Sequence, residues 1–261
     1  MAPPFSKKDC KFASRFFIRI SQLAGWYKMT SKNWRLDMLH IHLWRRFAVV
    51  SVLILSLGVV TAPAFQLGGR PTKEWVDLLE QPDRVAGLKI PEIIARLNLR
   101  PGMVIADLGA GSGVFAREFA RAVGSTGKVY AIDIDKGLLD YLADRARKEK
   151  QTNIQTVLGK LDDPAIPAKD VDIGFFHDVL HHIEARQAYL KNLSSYIKPS
   201  GLIALIEMDK NDPKTPHRES PNMLVDRKEV DQWMADAGFI PVKEHNDLFP
   251  GTKWFVIYQK K

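Results

Sequence analysis

The run from Met103 to Asp135, MVIADLGAGSGVFAREFARAVGSTGKVYAIDID, limits the fold more than any other part of the chain. It opens on Met103, Val104, Ile105 and Ala106, a short apolar segment behind Pro101-Gly102 that reads as a buried parallel strand. Asp107 closes that strand, and Gly109-Ala110-Gly111-Ser112-Gly113 turns the chain. Val114, Phe115, Phe119 and Val123 then recur at helical intervals, and a second apolar strand, Val129 to Ile132, ends on Asp133. Strand, glycine turn, helix and strand in that order make one unit of an α/β sheet.

Glycines in such a turn let the backbone pass close to a ligand and leave the first N–H groups of the helix available. An acid roughly twenty residues further on is placed to accept hydrogen bonds from a ribose. The stretch therefore points to a nucleotide-type cofactor, and the glycine spacing narrows which one. A dinucleotide fingerprint puts its third glycine at position 114, which is Val114, and a P-loop requires a lysine that this turn lacks.

The run Asp107-Leu-Gly-Ala-Gly-Ser-Gly resembles the first motif of the class I S-adenosylmethionine-dependent methyltransferases. The resemblance covers about residues 72–261. It implies a Rossmann-like, doubly wound α/β fold whose seven-stranded sheet is mostly parallel and ends in a C-terminal antiparallel hairpin. It also implies S-adenosylmethionine as cofactor, with its amino-acid portion on Asp107, Gly109, Ala110, Gly111 and Gly113. Asp133 is expected on the ribose, with Ile134 in the same cofactor-binding set. An acid after the third strand is expected at the adenine amino group. Asp162 is the candidate and Asp163 the reserve, although both also suit a turn or a helix cap.

The segment His177-Asp178-Val-Leu-His181-His182-Ile-Glu184 resembles the family's fourth motif, which lies beside the sulfonium and the methyl acceptor. His177 is placed with the cofactor, and Asp178, His181 and His182 are the catalytic candidates. A histidine near its ordinary pKa can take the acceptor's proton. His177 and His181 stand four apart, but no further ligands at suitable spacing are visible, so no metal is expected. The His-His-Ile-Glu stretch is similar to that of the small-molecule type that includes quinone-ring methylases. A small-molecule or lipid-like acceptor is what this implies.

The rest of the chain continues the alternation. Pro91 to Leu99 reads as a helix with proline in its first turn, while 65–90 is read as a linker and lid region carrying scattered anchors such as Trp75, Leu78 and Leu79. A helix is expected over Gly137–Glu149, strands over 154–158 and 171–176, and a helix over 185–197 stopped by Pro199-Ser-Gly201. A strand over 202–206 leads into the irregular stretch Lys210–Asn222, whose His217 and Arg218 are candidates to close over the acceptor. Asp226 caps a helix over 227–237, and 239–244 pairs with 254–258 across Pro250-Gly251.

The formal net charge of +8 in 261 residues suggests nucleic acid until it is located. Residues 1–64 hold ten Lys/Arg and two Asp/Glu, and the remainder is neutral with 28 of each sign. No nucleic-acid footprint lies on the catalytic domain, expected over 91–261 as a monomer. The basic leader, 1–46, precedes an apolar segment, 47–64, that ends in Ala62-Pro63-Ala64, the small-x-small rule of a signal-peptidase site. Membrane anchoring or export is the expectation, with a mitochondrial presequence as the alternative and Met38 as a second candidate start. The single cysteine, Cys10, lies in the leader, so the domain has no thiol chemistry. Two other functions share these motifs: a cofactor-binding module without catalysis and an NAD(P)-dependent reductase. Against the reductase, none of the six tyrosines has a lysine four residues on.

Overall fold

The computed structural model describes residues 70–220 and 223–261. The leader, the apolar segment 47–64 and Cys10 lie outside the described residues. Among the described residues no helix is long and apolar enough to cross a membrane.

Three short helices come first, α1 (Thr72–Leu79), α2 (Pro82–Gly87) and α3 (Ile90–Leu97). Then follow β1 (Val104–Leu108), α4 (Val114–Val123), β2 (Lys128–Asp133), α5 (Lys136–Lys148), β3 (Ile154–Leu158) and β4 (Val171–His177). A 3-10 turn at Leu180–His182 leads to α6 (Arg186–Ser194), β5 (Ile197–Met208), α7 (Arg227–Asp236), β6 (Phe239–Glu244) and β7 (Lys253–Lys260). The sheet order is β3-β2-β1-β4-β5-β7-β6, parallel from β3 to β5, with β7 antiparallel to both β5 and β6. This is the expected seven-stranded, mostly parallel α/β sheet.

Successive strand side chains point to opposite faces, so β1 and β4 feed two cores. On one face Leu108, Phe176 and Ile203 pack against Leu190 and Leu193 of α6 and Met234 of α7. On the other, Ile105 and Phe175 pack against Ile93 of α3 and Phe115 and Phe119 of α4. Both faces are covered, which is why the central strands read as near-continuous apolar runs. The strand order reverses between β1 and β4, and the crevice at such a switch point is where open α/β sheets bind ligands.

Two expectations are corrected. In the stretch read as linker and lid, residues 72–79 and 82–87 are helical, forming α1 and α2, so the linker part of that reading is corrected. Arg117 reaches Glu80, just past α1, at 3.1 Å, and the Tyr141 hydroxyl donates to Glu80 at 3.1 Å, so α1 is held against α4 and α5. The second correction is at Pro199-Ser200-Gly201, which does not separate a helix from a strand. Strand β5 begins at Ile197 and carries the tripeptide as an irregularity, with Ser200 at φ 59° and a register shift against β4 between Val171 and Ile173. A bulge lets the chain turn locally without ending the pairing.

Candidate active site

The glycine turn is bound to its neighbour strand before any ligand arrives. The N–H groups of Gly109 and Ala110 both donate to the Ile132 carbonyl at 2.8 Å. Gly109 sits at φ 73°, and a Cβ there would stand 2.5 Å from Val179 Cγ2, in the loop after β4. Gly111, at φ 54°, donates its N–H to Asp133 Oδ2 at 2.8 Å, and Asp135 N–H donates to Oδ1 of the same carboxylate at 2.9 Å. Asp135 in turn caps α5 through Leu138 N–H at 3.1 Å. Burial pushes the Asp133 carboxyl above its ordinary range, while these backbone donors pull it back.

Beside this turn lies a cavity of about 410 Å³. Gly109, Gly111, Asp133, Ile134 and Leu138 line one end, with Trp75 and Leu79 of α1 against it. Gly159, Lys160 and Leu161 follow β3, and His177, Asp178, Val179, His182, Ile183 and Glu184 come from the end of β4. The residues present fit an adenosine-bearing sulfonium cofactor. Bare glycine backbone forms a cradle, a buried carboxylate stands at the end of β2, and Ile132, Ile134, Leu138 and Leu161 offer apolar surface for a base.

Asp107 lies behind the turn, buried, with a hydrogen bond from the Ala116 backbone and no partner for Oδ2. Burial, and then the nearby Asp133 charge, push its carboxyl up to about 7. An unfolded aspartate titrates near 3.9. Between about pH 4 and 7 the folded chain therefore keeps a proton that the unfolded chain has lost, and this group subtracts stability as pH rises through that window. Asp107→Asn is expected to gain stability relative to the unaltered chain between those limits, with the two converging below about pH 4. Urea midpoints at several pH values check this, and a difference independent of pH would remove the buried-proton account.

The expected cofactor residues separate into two groups. Gly109, Gly111, Asp133, Ile134 and His177 line the cavity, whereas Ala110, Gly113 and Asp107 shape it from outside. Gly113, at φ 80°, opens α4. Asp162 is corrected: its side chain is exposed and absent from the cavity wall, where Gly159, Lys160 and Leu161 stand instead. The reserve, Asp163, is occupied in its own loop, accepting from Ala165 N–H at 2.7 Å and the Tyr196 hydroxyl at 2.9 Å.

The end of β4 is more ordered than its sequence suggested. His177 lies against Phe115 at 5.0 Å between ring centroids, and burial pushes it down to about 4. Asp178 adopts φ 55° and pairs with Lys253 of β7. Burial raises its carboxyl, but the His177 ring and the Lys253 ammonium outweigh that and hold it below the usual range. His181 does not face the cavity. It is 2 % exposed, and its Nδ1 lies 2.8 Å from Oε2 of Glu207 at the end of β5. Glu207, 1 % exposed, also accepts the Val179 N–H at 3.0 Å and the His181 N–H at 3.4 Å, so it organises the whole turn. Of the three catalytic candidates, His182 and Asp178 reach the cavity, and Asp178 is already paired. His182 is exposed to solvent over part of its surface. The part sunk into the wall, with the His181 and His217 rings, pushes it down to about 4.

His217 does come over this end, 5.4 Å from the His181 ring and 5.8 Å from the His182 ring. Arg218 turns away to the Asp212 carbonyl at 3.2 Å. Sequence reasoning missed Glu207 and Lys253, neither of which lies in a recognisable motif, whereas Trp75 and Leu79, read as anchors of a lid region, do line the cavity.

A glycine cradle over a strand-end carboxylate, at the switch point of a parallel sheet, defines enzymes that hold an adenosine-bearing cofactor beside a second substrate. Residues 99–238, more than half of the chain, match the model of the methyltransferase domain family. The chain belongs to that family, in its class I, S-adenosylmethionine-dependent form, and S-adenosylmethionine is the cofactor. It is similar to the ubiquinone/menaquinone biosynthesis C-methyltransferase UbiE of Cupriavidus metallidurans, 30% identical over 119 residues, 45% of this chain and 48% of that one. The chain thus spans about half the length of the curated relatives it matches. Among solved structures, a SAM dependent methyltransferase from Aquifex aeolicus has a TM-score of 0.65 at 22% identity, covering 74% of this chain and 100% of that one. The 1,6-didemethyltoxoflavin-N1-methyltransferase of Burkholderia thailandensis has a TM-score of 0.55 at 18% identity, over 72% of this chain and 84% of that one. These two likenesses speak for the fold.

Proposed function

We propose that this chain transfers a methyl group from S-adenosylmethionine to a small, largely apolar acceptor bound at the β4 end of the cavity. The observation that carries the reading is the continuity of that cavity. One wall holds the glycine cradle and Asp133, and the other holds His177, His182 and Glu184, with apolar surface between. Similarity to the quinone-ring enzyme over the matched segment supports an acceptor of quinone type, methylated at carbon.

The cofactor supplies an electrophilic methyl group on a sulfonium. What the chain contributes is placement, water exclusion and a proton acceptor. Trp75 and Leu79 close one side, and the buried His177 ring presents a neutral, aromatic surface rather than a charge. His182, neutral well below pH 7, presents a free lone pair to the acceptor end. A base this weak serves an acceptor whose proton is already acidic, and its contribution falls at the low end of general-base effects, roughly a hundredfold. His182→Ala is expected to lower turnover on a quinone-type acceptor by about that factor while S-adenosylmethionine affinity stays within a few-fold. Calorimetry and a product assay check both. Unchanged turnover would leave positioning alone as the source of rate. Binding heat from NAD(H) and none from S-adenosylmethionine would remove the methyl-transfer reading.

A further inference from the structure

The acceptor end contains a cluster of three histidines of which methyl transfer uses only His182. His181, His182 and His217 each place one ring nitrogen within 4.8 Å of the other two. His181 and His182 are neighbours on the 3-10 turn, with ring centroids 4.1 Å apart. His217 arrives from a loop whose turns are closed by Thr215 N–H to the Asp212 carbonyl at 3.0 Å and Ser220 N–H to the His217 carbonyl at 2.8 Å. Its own backbone is at φ 64°, a left-handed conformation uncommon outside glycine. Non-glycine residues in such conformations concentrate at ligand sites and switch regions.

A second, independent observation concerns Glu207. Its buried carboxylate accepts two backbone N–H groups and faces His181 Nδ1 at 2.8 Å. A carboxylate oxygen can only accept here, so Nδ1 carries the ring proton and Nε2 carries the lone pair. That Nε2 is buried and has no hydrogen-bond partner. A carboxylate behind a histidine, fixing its tautomer and turning its second nitrogen outward, is the arrangement that orients imidazole ligands on metal ions.

We propose that His181, His182 and His217 form a binding site for one divalent transition-metal ion of the zinc class, with Glu207 as the orienting carboxylate and one coordination position open. Three imidazoles with no carboxylate in the inner set suit zinc, cobalt, nickel or copper rather than magnesium or calcium. Zinc–nitrogen bonds of about 2.0–2.1 Å place tetrahedral ligands roughly 3.3 Å apart. The widest pair therefore has to close by up to about 1.5 Å, and the ring on the exposed loop can supply the movement. Three protein ligands leave the fourth position for water or an oxygen of a bound molecule. His182 belongs both to this set and to the cavity wall, so the ion stands at the rim of the acceptor end. Once it binds, the His182 lone pair is committed to it, and metal-loaded and metal-free chains are distinct states of that end. Metal binding does not rest on methyl transfer, because it is read without cofactor or acceptor, so either reading can fail alone.

The experiment uses the full chain, untagged and stripped with a chelator, titrated with Co²⁺ as a spectroscopic probe. One equivalent of Co²⁺ is expected, with the visible bands of a tetrahedral, nitrogen-ligated ion that Zn²⁺ then displaces. His217→Ala, on an exposed loop, is expected to retain the circular-dichroism spectrum and lose affinity at least tenfold. Glu207→Gln is expected to weaken the ion by about ten- to a hundredfold, the range for losing an orienting partner. No stoichiometric Co²⁺ bands in the unaltered chain would overturn the proposal. So would equal binding by His217→Ala, which would place the ion elsewhere, for instance on His40 and His42 of the leader.

Discussion

Asp133→Ala is expected to weaken S-adenosylmethionine binding by about 1.5–3 kcal/mol, roughly ten- to 150-fold. The Asp133 side chain sits 5 % exposed at the end of β2 and holds two backbone N–H groups, those of Gly111 and Asp135. Alanine removes the carboxylate expected to accept from the ribose hydroxyls. It also leaves the glycine turn and the start of α5 without the group that ties them together. Asp133→Asn keeps the shape and one acceptor oxygen, so it should lose less than alanine. Isothermal titration of the three proteins checks the order. Alanine binding as tightly as aspartate would move the ribose contact away from β2.

Gly113→Val is expected to cost about 3–5 kcal/mol of folding stability, from backbone strain and overpacking together. Gly113 is at φ 80°, and a Cβ built there overlaps Leu142 Cδ1 and Cδ2 on the buried side of α5. A β-branched residue can neither take the left-handed conformation cheaply nor find space. Domains commonly have only about 5–15 kcal/mol in hand, so a large downward shift in the urea midpoint follows. Gly124→Ala is the comparison. Gly124 is also at positive φ, 64°, with ψ −177°, a region almost confined to glycine, but a Cβ there meets nothing within 4 Å, so only the backbone cost of about 1–3 kcal/mol applies. Equal midpoints for the two variants would show that Leu142 yields, and that packing of α5 against the turn is loose.

The sheet and the cofactor cradle were legible because their signals are local. The apolar runs of β1, β2 and β4 are each contiguous, and the Gly109–Gly113 turn and Asp133 belong to a single strand-helix-strand unit. What the sequence did not disclose depends on partners far away along it. Nothing near Glu207 indicates that its carboxylate will sit behind His181, because that contact exists only once β5 lies beside β4. His217 reads as one residue of a polar loop until the loop folds back on the 3-10 turn. Asp162 is an acid at the expected distance after β3, yet its exposed side chain leaves that wall to apolar Leu161 and its neighbours. Helices α1 and α2 were hidden for another reason: each is two turns or so long, and no residue in either is fully buried. Periodicity over so few residues separates poorly from a linker.

The matched family segment stops at residue 238. Lys253, which holds Asp178 in place, and Trp75 and Leu79, which close the cavity, all lie outside it. Both ends of the described chain thus bear on one chamber: α1 lines it, and Lys253 pairs with Asp178 of its wall. The family segment carries both the glycine turn and the β4 wall, and the flanking stretches serve that chamber as a cover and a brace rather than as its floor.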